Sequence, residues 1–340
     1  MKAIYVKAKE QFWLRDVALR EIECDEVLIR VEACGFCGSE IRIAREAEDW
    51  TAIGHEVAGV VERVGSYVTH VKAGDRVVLE SGSYDRFSAL SRDGKMDWDN
   101  TGRHFWSKKY PGESMGFAEY VIAPEEVCVR YENMSLEAAC MIEPMGVAYD
   151  VIKVADIGLG DSVMVVGIGA IGLMALRLAK LRGASRIYAV NTSGRDARDN
   201  IARKWGAEVV LHNDKDDILS FPYEKGVDKI LFTTPPNIIP DFVDILNIGG
   251  IMVFIGGASG EAGKATFEMS KLHLKKLQLR ASYAAPALFF PACMDLYHRG
   301  LIDLDALHTH DLRLQHFEQD YHAFMEDRAG AIKAILYNKP

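Results

Sequence analysis

The sequence is short of cysteine, of positive charge and of long apolar runs, and each shortage removes a class of protein. Six cysteines occur in 340 residues: Cys24, Cys34, Cys37, Cys128, Cys140 and Cys293. They are too few and too scattered for a disulfide framework. Lys and Arg number 40 against 49 Asp and Glu, a net charge of −9. A general nucleic-acid binder needs a cation surplus to displace counterions, so nucleic acid is excluded as a partner. The longest apolar stretch, 163–176, contains three glycines and is too short to span a bilayer. The N-terminus, Met-Lys-Ala-Ile-Tyr-Val-Lys, has no apolar signal region. The expectation is a cytoplasmic protein with no membrane partner and reduced thiols, in which any cysteine function is metal binding or catalysis.

What is present organises the chain in two parts. Apolar residues at 49% can build ordinary cores, and the length suggests two domains of about 150 residues. Residues 1–150 read as short β runs between turns, for example 27–31, 57–61 and 77–79, with weak helical signals. Near residue 150 the texture changes. A buried-strand run at 162–166 enters a glycine turn and a helical pattern at 173–180, followed by a strand at 186–190 and a polar helix at about 196–205. Further strand candidates lie at 208–211, 229–233, 251–255 and 277–282. Alternating strands and helices predict a parallel sheet with right-handed crossovers. The fold class expected is α/β, a doubly wound Rossmann sheet at 151–288 beside a mainly β domain at 1–150 that the segment 289–340 completes.

Gly167-Ile168-Gly169-Ala170-Ile171-Gly172 fits G-x-G-x-x-G between a predicted strand and a predicted helix, the context that gives the pattern meaning. Gly167 makes the tight turn, Gly169 admits pyrophosphate to the backbone, and Gly172 lets the helix pack on the sheet. Amides of the first helical turn, including those of Ala170 and Ile171, then face the phosphates. An acidic residue about 20 positions beyond the glycines normally binds the ribose 2′-hydroxyl of NAD. Here the neutral Asn191 lies 19 residues after Gly172. Thr192, Ser193 and Arg195 offer donors and charge to a 2′-phosphate instead, which favours NADP over NAD, while Asp196 and the hydroxyl-binding capacity of Asn191 keep NAD open.

Cys34-Gly35-Phe36-Cys37 is a single C-x-x-C, open to reading as a packed pair, a redox dithiol or part of a metal site. His55-Glu56 and Glu143-Pro144 carry acceptable zinc ligands at separations that spacing alone does not interpret. Taken in order, Cys37-Gly38-Ser39-Glu40, Gly54-His55-Glu56, Gly74-Asp75-Arg76-Val77, Gly116-Phe117-Ala118-Glu119-Tyr120 and Glu143-Pro144, all ahead of the Gly167 turn, resemble the zinc-dependent medium-chain alcohol and polyol dehydrogenases. The resemblance covers essentially the whole chain. It implies a GroES-like catalytic domain in which Cys37, His55 and Glu143 hold one catalytic zinc, with the catalytic-site residue Glu56 as an alternate ligand or a support just behind the ligands. It also implies that Ser39 touches the substrate oxygen and relays its proton, that Cys34 is inert, and that the protein is a homodimer or homotetramer. The reaction implied is hydride transfer between a secondary alcohol, or its ketone, and NAD(P), with the zinc as Lewis acid.

The chain departs from that pattern in four places. No cysteine lies between Cys37 and Cys128, so no structural zinc is expected. Arg42 stands where the family often has His, and a guanidinium cannot relay a proton. Glu40 replaces an Asp and is one methylene longer. The segment between Arg42 and Gly54 is short and lacks the usual Pro. The lobe 81–115 is rich in aromatics and charge (Tyr84, Phe87, Trp98, Phe105, Trp106 and Tyr110 among Arg86, Arg92, Arg103, Lys108 and Lys109). It reads as a solvated insertion or oligomer contact, with recognition of a polar sugar or cyclitol as the alternative. Glu143-Pro144 and the missing structural-zinc cysteines lean the substrate toward a polyol, sugar or cyclitol. Two other readings stand beside this one: a zinc-free NADPH reductase of the same superfamily, and a non-catalytic nucleotide-binding protein.

Overall fold

The first 146 residues fold as short strands: β1 (Lys2–Lys7), β2 (Gln11–Asp16), β3 (Glu26–Gly35), β4 (Thr51–Ala52), β5 (Glu56–Val64), β6 (Arg76–Leu79), β7 (Tyr120–Pro124) and β8 (Cys128–Arg130). Helix α1 (Gly38–Glu46) follows β3, and the short helices α2 (Ala89–Arg92) and α3 (Leu136–Cys140) come later. Helix α4 (Ile142–Ala155) leads into β9 (Ser162–Val166), α5 (Ala170–Arg182), β10 (Arg186–Asn191), α6 (Asp196–Trp205), β11 (Val209–His212), β12 (Val227–Phe232), β13 (Leu246–Phe254), α7 (Met269–Lys275) and β14 (Gln278–Ala281). After α8 (Phe290–His298) come β15 (His308–Arg313), α9 (Phe317–Glu326) and β16 (Lys333–Tyr337). This computed structural model describes residues 1–99, 101–103, 115–285 and 288–338. Phe105, Trp106, Lys108, Lys109 and Tyr110 of the aromatic lobe therefore lie outside the described residues.

Two units result. The first contains Met1–Gly146, Ala284–Asp327 and Lys333–Pro340, and the second contains Val147–Tyr283 and Arg328–Ile332. In the first, β2-β1-β4 form a small sheet, while β15-β16-β3-β5-β6-β8 form a larger one with β7 also paired to β3. Every pairing in the larger sheet is antiparallel except that of β15 with β16. The register of these strands decides which side chains meet. Gly35, the last residue of β3, stands opposite Ile335 of β16 on one side and Glu56 of β5 on the other. The end of β3, the start of β5 and the middle of β16, distant in sequence, thus lie side by side just before α1. That helix interrupts the otherwise β character read for 1–150. Only Glu40 and Ala44 of α1 are buried, so its apolar period is too sparse to announce a helix.

The second unit is a six-stranded sheet in the order β11-β10-β9-β12-β13-β14, parallel throughout. That is the doubly wound order whose direction reverses between the first and fourth strands, here β9 and β12. All five residues of β9 are buried, as expected of a central parallel strand covered on both faces. The chain leaves β9 at Val166, at the switch point where such sheets bind ligands.

Candidate metal centre and dinucleotide site

Cys37 is the residue before α1, and Glu40 is the third residue of that helix. The Glu40 carboxylate turns back on the helix start: Oε2 accepts the Cys37 N–H at 2.6 Å, and Oε1 accepts the Gly54 N–H at 3.2 Å. Oε1 also meets His55 Nδ1 at 2.6 Å. One buried carboxylate therefore ties the C-x-x-C end to the Gly-His-Glu turn. The extra methylene of Glu40 is accommodated within these three contacts. Gly54 has φ +102°, and a Cβ there would lie 2.5 Å from the Phe117 backbone nitrogen, so the turn that presents His55 requires glycine.

The cluster is rich in metal-binding atoms. Donor atoms of Cys37, Glu40 and His55 lie within 4.8 Å of one another, and so do those of His55, Glu56 and Glu143. The four residues expected to form the metal site are thus brought together, with His55 common to both groups. Ser39, half-buried, is the second residue of α1, and Arg42 lies exposed one turn further on. Cys34, by contrast, is fully buried in β3, where burial first and the Glu40 and Glu56 carboxylates next push its thiol well up. A thiol so held is inert.

Three residues outside the expected set complete the centre. Lys333, buried on β16, forms an ion pair with Glu56 Oε2 and donates to the Phe36 carbonyl at 2.9 Å. Burial opposes its charge, but the Glu56 carboxylate more than compensates and raises its pKa. Ser81 donates to Glu143 Oε1. Glu80, just past the end of β6, is pushed up to about 8 by burial and by the nearby Glu143 carboxylate. Burial likewise raises Glu143 itself.

Electrostatics shows what the cluster lacks. Desolvation disfavours a charged His55, yet its contacts with Glu40 and Cys37 outweigh it and hold its pKa well above the ordinary imidazole value. Glu56 Oε1 is buried and accepts no hydrogen bond among the described residues. Carboxylates crowded enough to raise one another, beside an imidazole drawn toward its cation, mark a pocket short of positive charge. Sulfur, nitrogen and carboxylate oxygen are the donors zinc takes, so these residues fit a zinc ion.

The glycine turn lies between β9 and α5. A Cβ at Gly172 would fall 2.0 Å from the Gly167 carbonyl oxygen, which is why helix and turn pack closely here. A Cβ at Gly169 would meet nothing within 4 Å. The open space lies at the α5 N-terminus, where first-turn amides lack helical partners and a pyrophosphate fits. At the end of β10, Asn191 is buried and its amide donates to Asp199 at 2.8 Å. Its amide donor is thus committed to Asp199. Thr192, Ser193 and Arg195 follow, the last immediately before α6 and 3.5 Å from the Arg328 carbonyl.

Residues 23–133 match the alcohol dehydrogenase GroES-like domain, and residues 170–298 match the zinc-binding dehydrogenase domain. The chain belongs to the zinc-dependent medium-chain alcohol and polyol dehydrogenases. Among its relatives is the probable D-xylulose reductase A of Aspergillus clavatus, 28% identical over 330 residues that cover 92% of this chain and 89% of the relative. The L-idonate 5-dehydrogenase of Vitis vinifera is 27% identical over 338 residues, covering 92% and 88%. The E. coli CFT073 alcohol dehydrogenase rspB, solved with NADH, has the same fold: TM-score 0.87 at 24% identity, covering 99% of each chain.

The dehydrogenase is accordingly an NAD(P)-dependent oxidoreductase. Among the described residues no helix is long and apolar enough to cross a membrane. Lys333, Glu80 and Ser81 escaped the sequence reading because each acquires its meaning from a partner far along the chain. A lone Lys in a late strand resembles any surface lysine, and only its apolar surroundings at 331–337 hinted otherwise.

Proposed function

We propose that this dehydrogenase interconverts a secondary alcohol of polyol, sugar or cyclitol type and its ketone, on one catalytic zinc and with no structural zinc. The placement of Cys37 and Glu143 on either side of His55 carries the reading, because two overlapping groups of zinc-type donors meet there in surroundings that draw the imidazole toward its cation. Cys37, His55 and Glu143 hold the metal, and Glu56, paired with Lys333, stands by as an alternate ligand. When bound, zinc supplies a Lewis acid that makes the alcohol proton easier to remove.

The remaining steps belong to the chain's own side chains. Glu40 accepts a hydrogen bond from His55 Nδ1–H, which fixes the ring and would leave Nε2 to bind the metal. Ser39 Oγ takes the alcohol proton and hands it to water, since the Arg42 guanidinium beside it in sequence stays protonated. Gly169 and the α5 amides receive the pyrophosphate. NAD(P) supplies the hydride acceptor or donor. Thr192, Ser193 and Arg195 support NADP(H) as the preferred form through their hydroxyls and charge, with NAD(H) the alternative. The names of the xylulose and idonate relatives support the polyol or sugar class. Homodimer or homotetramer assembly is supported by the family resemblance and by β14, which pairs on one side only among the described residues. A cytoplasmic location fits six cysteines that are all free.

Metal analysis of the purified protein is expected to find one zinc per chain. Cys37→Ser is expected to abolish turnover of polyols and ketoses, read by nicotinamide absorbance, while leaving dinucleotide binding nearly intact. Retained turnover in that variant, or full activity without metal, overturns the assignment.

A further inference from the structure

Just beyond β10 two donors on one residue face a carboxylate from elsewhere. The Ser193 N–H donates to Asp214 Oδ1 at 2.8 Å, and the Ser193 hydroxyl donates to Oδ2 at 2.5 Å. Asp214 lies two residues past β11 and is exposed. A backbone amide and a hydroxyl that converge on both oxygens of one anion form an anion-binding pair, and here the chain fills it with its own carboxylate. Those two bonds also hold the Asp214 carboxyl below the usual range, so it is ionised throughout the neutral region.

The placement of this pair matters. In a doubly wound unit, the residues just past the second strand meet the adenosine ribose. Here that strand is β10, and the acidic residue normally carried at its end is absent. Asn191 and His212, which end β10 and β11, are tied to each other through the buried Asp199. The Asn191 amide meets Oδ1 at 2.8 Å and His212 Nε2 meets Oδ2 at 2.7 Å. The two strand ends are already neighbours in the sheet, with Asn191 opposite His212, and the Asp214 loop that follows β11 therefore lies beside Ser193, with the Asp199 bridge bracing both ends. The loop 212–217 also carries Asp216 and Asp217, with Lys215 as its only Lys or Arg, so it repels a second anion.

We propose that Asp214 sets the selectivity of this enzyme between NADP(H) and NAD(H), by occupying the Ser193 donors that a ribose 2′-phosphate would take. NADP(H) must displace the Asp214 carboxylate to reach those donors, whereas the neutral 2′-hydroxyl of NAD(H) leaves it in place. A 2′-phosphate bears close to two negative charges at neutral pH, so the two anions cannot share one donor pair. This inference rests on the dinucleotide reading of the second unit, and not on which cofactor the wild-type protein prefers.

Calorimetric titration of the full-length, zinc-loaded protein tests it, with 2′,5′-ADP against 5′-AMP and NADP⁺ against NAD⁺ as paired probes. Asp214→Asn and Asp214→Ala are expected to tighten 2′,5′-ADP and NADP⁺ by roughly five- to tenfold, with 5′-AMP and NAD⁺ within about twofold. Adding Ser193→Ala to Asp214→Ala is expected to cut the gain without erasing it, because the hydroxyl is lost while the backbone N–H remains, and a gain left whole in the double variant counts against the Ser193 donors. An unchanged ratio between the paired probes, or a parallel loss for both, overturns the proposal and leaves Asp214 as loop structure only. A wild-type preference for NAD⁺ with the shift still present in Asp214→Ala sinks the NADP(H) reading and sustains this one. Failure of every nucleotide to bind removes both.

Discussion

Glu40 is the most exacting place to perturb this protein, because one buried carboxylate serves three partners. Glu40→Ala removes the contact to His55 Nδ1 and the acceptors of the Cys37 and Gly54 N–H groups. Gly54 is buried, so its N–H has no water to turn to, and a buried donor left unpaired costs about 1–3 kcal/mol. The Cys37 N–H is less buried and can turn to water, which keeps its share of the cost small. The net destabilisation without zinc is therefore expected to stay at about 1–3 kcal/mol. Both effects act in the same direction on the metal. His55 loses the partner that fixes its tautomer, and the pocket loses a negative charge, so zinc affinity is expected to fall on the order of 10- to 100-fold. Competition with a chromophoric chelator measures the affinity, and calorimetric melting of chelated and zinc-loaded protein separates the two effects. Glu40→Asp restores the charge at shorter reach and is expected to fall between wild type and Glu40→Ala. A Glu40→Ala protein that binds zinc within about twofold of wild type would falsify the orienting role.

Lys333→Met leaves the Glu56 carboxylate buried without its counter-ion and is expected to destabilise the protein by about 3–5 kcal/mol in chemical denaturation. Glu56→Gln added to Lys333→Met is expected to recover most of that loss, and a double variant no more stable than Lys333→Met refutes the pairing. The two glycines of the turn are expected to part company. Gly172→Ala places a methyl 2.0 Å from the Gly167 oxygen and lowers the melting temperature, whereas Gly169→Ala points a methyl into open space. It is therefore expected to leave folding unchanged while weakening dinucleotide binding. Equal melting temperatures for the two variants refute that distinction.

Legibility differed between the two units for a physical reason. The second unit is built of parallel strands covered on both faces, so 163–166 reads as an unbroken apolar run, and the strand read at 162–166 coincides with β9. The polar helix at 196–205 coincides with α6. In the first unit the helices α1 and α9 and the strand β15 passed unread. α1 buries only Glu40 and Ala44. β15 does alternate, but its more covered positions are His308, His310 and Leu312, and two of those three are polar. Segments that owe their shape to neighbouring strands leave little periodic signal of their own.

Local chemistry and the order of motifs were enough to mark Cys37, His55, Glu143 and the glycines at 167–172, because each stands beside a turn residue that its role demands. Those positions also assigned the α/β class, the two-part organisation and the family. What covers those residues depended on tertiary structure. β16 pairs with β3, and that register brings Lys333 to Glu56 across 277 positions. The end of β6 sets Glu80 and Ser81 beside Glu143, and the turn after β11 carries Asp214 to Ser193. A side chain's type is written in the sequence, but the charge it faces is decided by strands that meet only when the chain folds. For that reason the proposed zinc donors could be named from the sequence and their charge balance could not. Likewise the cofactor turn could be read directly, whereas the carboxylate that guards its ribose end emerged only from the packing of two loops.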